Sequence, residues 1–424
     1  MEEQTPQNNI WELYGVKQNP FSIQPLLVKG GILPLDSFTG RKKELDRLKK
    51  IFSSKGGSRV LVSGDVGVGK TTFVNFTRHY FNNKGYFTPF KEIAVQSEWD
   101  TTIFILNTLA AIYSTLNVST KKPVEDETFK KLESYLEIGF AEADFSINIA
   151  GTGVGYGKKR VSPSNTSSFM LQNFFERIIG EIHQKTNNDV IIHYNNLELI
   201  EETTLRKSFD NLRDFFQTPN VHFVFVGNLS VGGIFQSIPR FSSTLTDTPI
   251  TLENLKLDEV KDIIEKRFNG LKIDELDYII PYYEDALRTL YNLYEGNIRD
   301  ILNSLSTAVM EVTTEKPIIL DEHLLSKTLK SVVQKRYMSQ LTSRVVNVLM
   351  EAVKHPEITN RHLSKQTGVA RSNISTYIGE LQRHGCIYLR RKDGKDKYWR
   401  VDPKIRWLLL KDVAIQQRRL PDYR

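Results

Sequence analysis

Eight consecutive residues, Gly64-Asp65-Val66-Gly67-Val68-Gly69-Lys70-Thr71, satisfy the pattern G-x-x-x-x-G-K-[ST]. Glycines in such a loop let successive backbone N–H groups turn inward onto phosphate oxygens. A helix beginning at the end of the loop, through Thr72, adds the positive pole of its dipole. Lys70 then meets the β- and γ-phosphates, and Thr71 offers a hydroxyl to Mg²⁺. The chemistry specified is the binding of a nucleoside triphosphate with its magnesium. The competing reading is an ordinary strand-to-helix turn, which the full eight-residue pattern disfavours.

Such a loop works only between a strand and a helix. Arg59 to Ser63 is a short apolar strand, and Thr71 to Phe81 carries a helical pattern. Further strands are expected at Asp189 to Tyr194 and His222 to Gly227, each preceded by a helical stretch such as Ser168 to Gln184. Strands alternating with helices predict an α/β fold with a parallel sheet covered on both faces. Ahead of it, the first 40 or so residues, with Pro20, Pro25, Gly30, Gly31 and Pro34, read as an irregular strap, and Arg41 to Phe52 as an amphipathic helix. From Leu257 onward the pattern is helical, including Asp258 to Phe268, Glu284 to Tyr294 and Ile298 to Val312. Helices at Val345 to Lys354, Asn360 to Gln366 and Ser372 to His384 then precede a ribbon from Cys386 to Val401. Helix, helix, helix, hairpin is the order of a winged helix-turn-helix. The expected division is 1–37 strap, 38–250 nucleotide-binding domain, 251–335 helical subdomain and 336–424 winged helix.

Composition fits this organisation. The chain has 424 residues, 40% hydrophobic and 25% charged, which suits two or three soluble domains. No apolar run reaches the roughly 18 residues that span a bilayer. The start, Met1-Glu2-Glu3-Gln4, lacks a basic and then apolar leader. A cytoplasmic protein that associates with the nucleoid when bound to DNA is therefore expected, with no membrane partner. The single cysteine, Cys386, excludes an intrachain disulfide and lacks the spacing of a zinc site. His79, His183, His193 and His222 read as surface or structural histidines. The net charge of +7 is unevenly placed: from Arg361 to the end there are 16 Lys and Arg against 6 Asp and Glu, leaving a deficit before it. The C-terminal module has the electrostatic footprint of a polyanion binder.

With the segment Phe38-Thr39-Gly40-Arg41-Lys42-Lys43-Glu44-Leu45, the phosphate loop, the helical subdomain and the C-terminal module in hand, the chain resembles the AAA+ P-loop ATPases. The likeness is to the origin-recognition initiator and replication-licensing branch, and more loosely to transposition-targeting ATPases, from about Phe38 to the end. It implies an AAA+ base, a helical lid and a winged helix, with ATP as nucleotide because the family keeps the segment at Phe38 beside the adenine. The family strand that ends in Asp-Glu corresponds here to Val190 to Tyr194, which runs into Asn195-Asn196-Leu197-Glu198. Asn195 can still hydrogen-bond a metal-bound water. Asn196 cannot accept a proton as a carboxylate does, and general-base help contributes about 10²- to 10⁴-fold. Hydrolysis is then slow unless Glu198 or another carboxylate substitutes; the alternative is that Asn195 and Asn196 only make a turn. By the same resemblance Asn228 senses the γ-phosphate or else ends a plain turn. Arg240 serves as a finger to a neighbouring copy in a homo-oligomer or stands as a lone surface arginine. Arg299 reaches the γ-phosphate from the lid or makes a salt bridge at its helix start.

In the C-terminal module, Leu363, Val369, Ile374, Ile378 and Leu381 are expected in the core. That leaves Arg371, Ser372, Asn373, Ser375, Thr376 and Tyr377 for double-stranded DNA, since the first residues of a recognition helix reach base edges. The ribbon turns at Asp393-Gly394, and Arg390, Arg391, Lys392, Lys395 and Lys397 make its tip basic, suited to phosphates. Docking to protein is the competing use. The glycine-rich stretch from Phe145 to Lys158-Lys159-Arg160 reads either as a hairpin touching DNA or as a surface loop. Three functions stay open: a nucleotide-gated DNA binder, an active ATPase motor, and a STAND-type signalling ATPase whose winged helix packs on the core as a lock.

Overall fold

The computed structural model describes residues 9–28, 31, 33, 35–142, 167–274, 276–393 and 396–418. The Phe145 to Arg160 stretch and Lys395 lie outside them. The chain divides into two compact units, one of residues 24–270 and one of residues 1–23 with 271–424.

The first unit is built on five parallel strands, β1 (Ser58–Gly64), β2 (Ile93–Ala94), β3 (Val190–Asn195), β4 (Val221–Val226) and β5 (Ile250–Leu252), in the order β2-β3-β4-β1-β5. Side chains alternate across the sheet, so each strand feeds two cores. Val60, Val62, Ile191, Val224, Val226 and Ile250 face α1 (Lys42–Phe52) and α2 (Lys70–Asn82), meeting Leu48, Phe52, Phe73 and Phe81. Leu61, Ile192, Tyr194, Phe223 and Phe225 face the other way. They pack under α3 (Thr101–Asn117), α4 (Asp126–Glu142), α5 (Ser168–Thr186), α6 (Glu202–Asn211), α7 (Arg213–Phe216), α8 (Leu229–Gln236) and α9 (Pro239–Ser242). Double burial is why β3 and β4 read as continuous apolar runs in the sequence. The two short strands β2 and β5 carry no such run and were not visible there.

α10 (Leu257–Leu271) also belongs largely to this unit. Val260, Ile264 and Phe268 are buried, and Glu259 accepts the backbone N–H groups of Arg41 and Lys256 at 3.4 and 2.9 Å. Residues 24–28 and 35–37 belong to the sheet unit, whereas Tyr14 to Lys17 pair by backbone hydrogen bonds with Leu271, Ile273 and Ile279 in the second unit.

Between α2 and β3 the packing is polar. Asn75, Arg78 and His193 are at most 1% exposed; His193 Nδ1 lies 3.2 Å from Asn75 Oδ1 and 3.5 Å from the Arg78 guanidinium. Burial, and then the charge of Arg78, pushes the His193 imidazole well below its ordinary 6.5. The folded chain therefore holds His193 neutral while the unfolded chain protonates it below about pH 6.5. Stability from this residue is complete above that pH and is lost as pH falls, at up to about 1.4 kcal/mol per pH unit. Denaturant unfolding of wild type and His193→Gln between pH 7 and 5.5 is expected to show a steeper loss in wild type; parallel curves would contradict it.

The second unit contains α11 (Glu284–Tyr294), α12 (Ile298–Val312), α13 (Glu322–Arg336), α14 (Ser343–Val353), α15 (Asn360–Thr367), α16 (Arg371–Arg383), an antiparallel pair β6 (Ile387–Asp393) and β7 (Asp396–Val401), and α17 (Pro403–Arg418). Leu363, Ile374, Ile378 and Leu381 are buried as expected, with Val369 half-buried. A backbone bridge between Ile358 and Trp399 ties the ribbon to the turn before α15. Cys386 is buried, which pushes its thiol up to about 12 and makes it unreactive.

Candidate nucleotide-binding site

β1 lies between β4 and β5, while the next strand in sequence, β2, lies at the far edge. The chain therefore parts at the carboxyl end of β1, the place where open α/β sheets bind ligands. The loop Gly64 to Gly69 occupies that point. Gly64 has φ 153°, and a Cβ there would come 2.5 Å from the Leu252 carbonyl oxygen of β5; Gly69, which caps α2, has φ 93°. Either position excludes ordinary side chains. Val68 is buried among the α1 and α2 side chains and anchors the loop, whereas Val66 is exposed. Only their backbones, with those of Asp65 and Gly67, are suited to face a phosphate.

Lys70 is 8% exposed, and its ammonium donates to the carbonyls of Gly64 at 3.0 Å and Asp65 at 2.9 Å, which holds it across the loop. Thr71 Oγ1 accepts a hydrogen bond from Asn195 Nδ2 at 3.1 Å, so the last residue of β3 meets the first turn of α2. Arg41, to which the sequence reading gave no role, completes the loop from below. In left-handed backbone at φ 55° and nearly buried, it donates to the carbonyls of Val68 at 2.7 Å and Glu253 at 2.8 Å. Burial lowers its pKa, against the raising charges of Glu44, Glu259 and Glu253. By holding the Val68 carbonyl, Arg41 fixes the loop's backbone at that residue. Its place in the Phe38 to Leu45 segment was the available signal. On the same unit, Phe38 stacks on Phe76 of α2 with ring centroids 4.4 Å apart, and Thr72 Oγ1 accepts the N–H of Leu26 at 3.4 Å.

The residues after β3 are arranged differently from an extended strand. Asn196 takes left-handed backbone at φ 64°, and Leu197–Leu199 form a single 3-10 turn. Strand alternation thus does not place Glu198, which sits in that turn. Its Oε2 is buried and has no hydrogen-bond partner. Asn228 follows β4, the neighbour of both β1 and β3, and its Oδ1 caps α8 by accepting from Val231 N at 3.2 Å and from the Ser230 hydroxyl at 2.6 Å. Arg240 on α9 is two-thirds exposed, 3.7 Å from Asp210; a surface pair of this kind contributes little.

The phosphate loop, Lys70, Thr71 and Asn195 are thus brought together, and they fit a magnesium-bound nucleotide. The amides are oriented by glycine, the ammonium is already desolvated, and a hydroxyl and an amide meet where a hydrated cation would be held. Neither group of the Thr71–Asn195 pair is charged. Among the described residues no three His, Cys, Asp or Glu side chains form a metal cluster. Arg299 lies in the other unit, exposed in the first turn of α12.

In the C-terminal module, Arg371, Ser372, Asn373, Ser375 and Thr376 on α16 are exposed, as are Arg390 and Lys397 on the ribbon; Tyr377 is half-buried. Arg391 and Lys392 lie on β6. Ser375 is partly committed, because its hydroxyl accepts from Asn360 Nδ2 at 2.9 Å while Asn360 Oδ1 accepts from Trp399 Nε1 at 3.1 Å.

Comparison with known proteins adds the following. The KAP family P-loop domain matches residues 41–231, somewhat less than half of the chain. A protein of Methanocaldococcus jannaschii, described as an uncharacterized HTH-type transcriptional regulator, is 20% identical over 414 residues, covering 93% of each chain. Solved structures with similar folds include ORC2 of Aeropyrum pernix with ADPNP and ADP (13% identity, 94% of this chain and 98% of that one, TM-score 0.48). ORC1 of the same organism, in complex with DNA, is also similar (14% identity, 97% and 98%, TM-score 0.45). No helix among the described residues is long and apolar enough to cross a membrane.

Proposed function

We propose that this chain, which matches the KAP family P-loop domain over residues 41–231, is an AAA+-type ATP-binding, nucleotide-gated DNA-binding protein with slow hydrolysis. The observation that carries the nucleotide half is the oriented loop with Lys70 held across it and Thr71 against Asn195. When bound, ATP with Mg²⁺ supplies the γ-phosphate charge to which the two nucleotide states respond differently. Lys70 and the loop amides bind the phosphates, Thr71 and Asn195 hold the hydrated cation, and Arg41 keeps the loop in shape. Asn228 and Arg299 are the proposed γ-phosphate sensors. A ligand shifts a conformational equilibrium only by differential binding, and these contacts provide it.

Slow hydrolysis follows from Asn196, which has no basic group to polarise water. A second reading is favoured by Glu198. A buried carboxylate oxygen without a partner costs about 1–3 kcal/mol, and such groups are often retained for chemistry. In that reading Glu198 acts as the base and the chain is an active ATPase. Arg240, exposed and weakly paired, is the residue proposed to reach a neighbouring copy.

DNA binding is supported by the basic C-terminal module and by the exposure of Arg371, Ser372, Asn373 and Thr376 on α16. α16 is proposed to enter the major groove as the recognition helix of a winged helix, with Arg390, Arg391, Lys392, Lys395 and Lys397 on phosphates. Fluorescence anisotropy of a labelled duplex with ATP, ADP or no nucleotide, over a salt series, is expected to show tighter binding with ATP. Alanine at both Arg390 and Lys397 should lower the log–log salt slope by about 2, one per lost phosphate contact. Absence of duplex binding in every nucleotide state would overturn this half and leave signalling as the function.

A further inference from the structure

The face that α2 turns toward β3 is polar, where a helix on a doubly covered sheet ordinarily presents apolar side chains. Thr71, Asn75 and Arg78 recur at helical spacing along one stripe, and Ile191, His193 and Asn195 share the facing side of β3. The contacts form three rungs. Thr71 meets Asn195 at 3.1 Å, and Asn75 meets His193 at 3.2 Å. Arg78 Nε donates to the Thr88 hydroxyl at 2.8 Å, which donates to the Ile191 carbonyl at 2.8 Å. Arg78 cross-links two rungs by donating to Asn75 Oδ1 at 2.8 Å, and it also reaches the Pro89 carbonyl and, at 3.5 Å, that of Lys91. Burial pulls the Arg78 guanidinium down to about 10, against the raising charge of Glu92, so it remains a cation at neutral pH.

Asn75 is fastened on its other side as well. Its Nδ2 donates to the Leu26 carbonyl at 3.0 Å and lies 3.4 Å from Glu92 Oε2, while the N–H of Leu26 donates to Thr72 Oγ1 at 3.4 Å. Both backbone groups of one strap residue are therefore held by side chains of the first turns of α2. The Leu26 carbonyl fixes which way the Asn75 amide points, leaving its oxygen for Arg78 and His193.

A fully buried cation contributes little net stability compared with apolar packing. Directional hydrogen bonds do supply register, fixing the height and rotation of a helix on a strand more sharply than interchangeable methyl contacts. The register that matters here is that of the first rung. Asn195 carries no charge, so the Thr71–Asn195 pair can serve a cation only through orientation. We infer that Asn75 and Arg78 are positioning residues that set the Thr71–Asn195 geometry, and with it the magnesium-dependent part of nucleotide binding. The inference rests on the ATP-binding reading given above.

The test titrates the full chain with N-methylanthraniloyl-ATP in Mg²⁺ and in EDTA, with thermal melting on the same samples. In EDTA the affinity reports the loop and Lys70; the ratio of the two affinities reports the Thr71–Asn195 pair. Asn75→Leu, of similar volume, is expected to lower the Mg²⁺/EDTA affinity ratio about tenfold, in the range for loss of a group that orients a metal ligand. Its EDTA affinity should stay within about twofold. Arg78→Lys, which keeps the charge with fewer directed bonds, should lower the ratio by less and serves if Asn75→Leu does not fold. A folded variant with an unchanged ratio, or with equal losses in both buffers, would overturn the inference while leaving ATP binding intact. Wild type that binds the nucleotide in neither buffer would overturn the ATP reading and the inference together.

Discussion

Lys70→Ala will weaken ATP binding by roughly two orders of magnitude and leave the fold standing. The Lys70 ammonium is almost buried and already held across the loop by the Gly64 and Asp65 carbonyls, so little further ordering is needed for it to meet phosphate. A hydrogen bond to a charged group contributes about 1.5–3 kcal/mol, and 1.4 kcal/mol is tenfold in affinity. Two such bonds, at β- and γ-phosphates and each at the lower end of that range, account for the expected loss of about two orders of magnitude. Stability should move little, because Val68, Arg41 and the glycines shape the loop without the lysine. Fluorescent-nucleotide titration measures it, and a variant binding within threefold of wild type would place the nucleotide elsewhere.

Asn196→Glu is expected to raise the single-turnover rate of phosphate release about 10²-fold, the lower end of general-base effects. Asn196 sits directly after Asn195, whose amide already touches Thr71, so a carboxylate there is one residue from the proposed cation position. The backbone at position 196 is left-handed, which asparagine tolerates best. Glutamate at this position therefore carries strain of the order of 1 kcal/mol, visible as a small drop in melting temperature. Glu198→Gln separates the two readings. If it abolishes a fast wild-type rate and Asn196→Glu adds nothing, the buried oxygen of Glu198 is the base and the slow-hydrolysis proposal fails.

Legibility in the sequence followed burial and periodicity. β1, β3 and β4 and the helices from α10 to α12 and α14 to α16 stand within a few residues of their expected places, because each carries either a doubly buried apolar run or a one-sided helical stripe. β2 and β5 hold two and three residues, too few for any pattern, and they are strands only because β3 and β1 offer them an edge. α10 is helical like its successors, and the side chains buried around Val260, Ile264 and Phe268 belong with the sheet unit.

The site divides in the same way. By itself the sequence determined the phosphate loop, since its glycines, lysine and threonine act at fixed local spacing and need only the strand and helix that flank them. It also determined the basic character of the C-terminal module, since charge adds along a chain whatever its fold. Tertiary structure alone decided which distant groups meet that loop and the helix after it: Asn195 at Thr71, Arg41 at Val68, Leu26 on Thr72 and Asn75, and His193 beside Arg78. These contacts join residues up to 124 positions apart. No local spacing records them, because they exist only where the parallel sheet brings the carboxyl ends of separate strands to one edge and lays α2 across them.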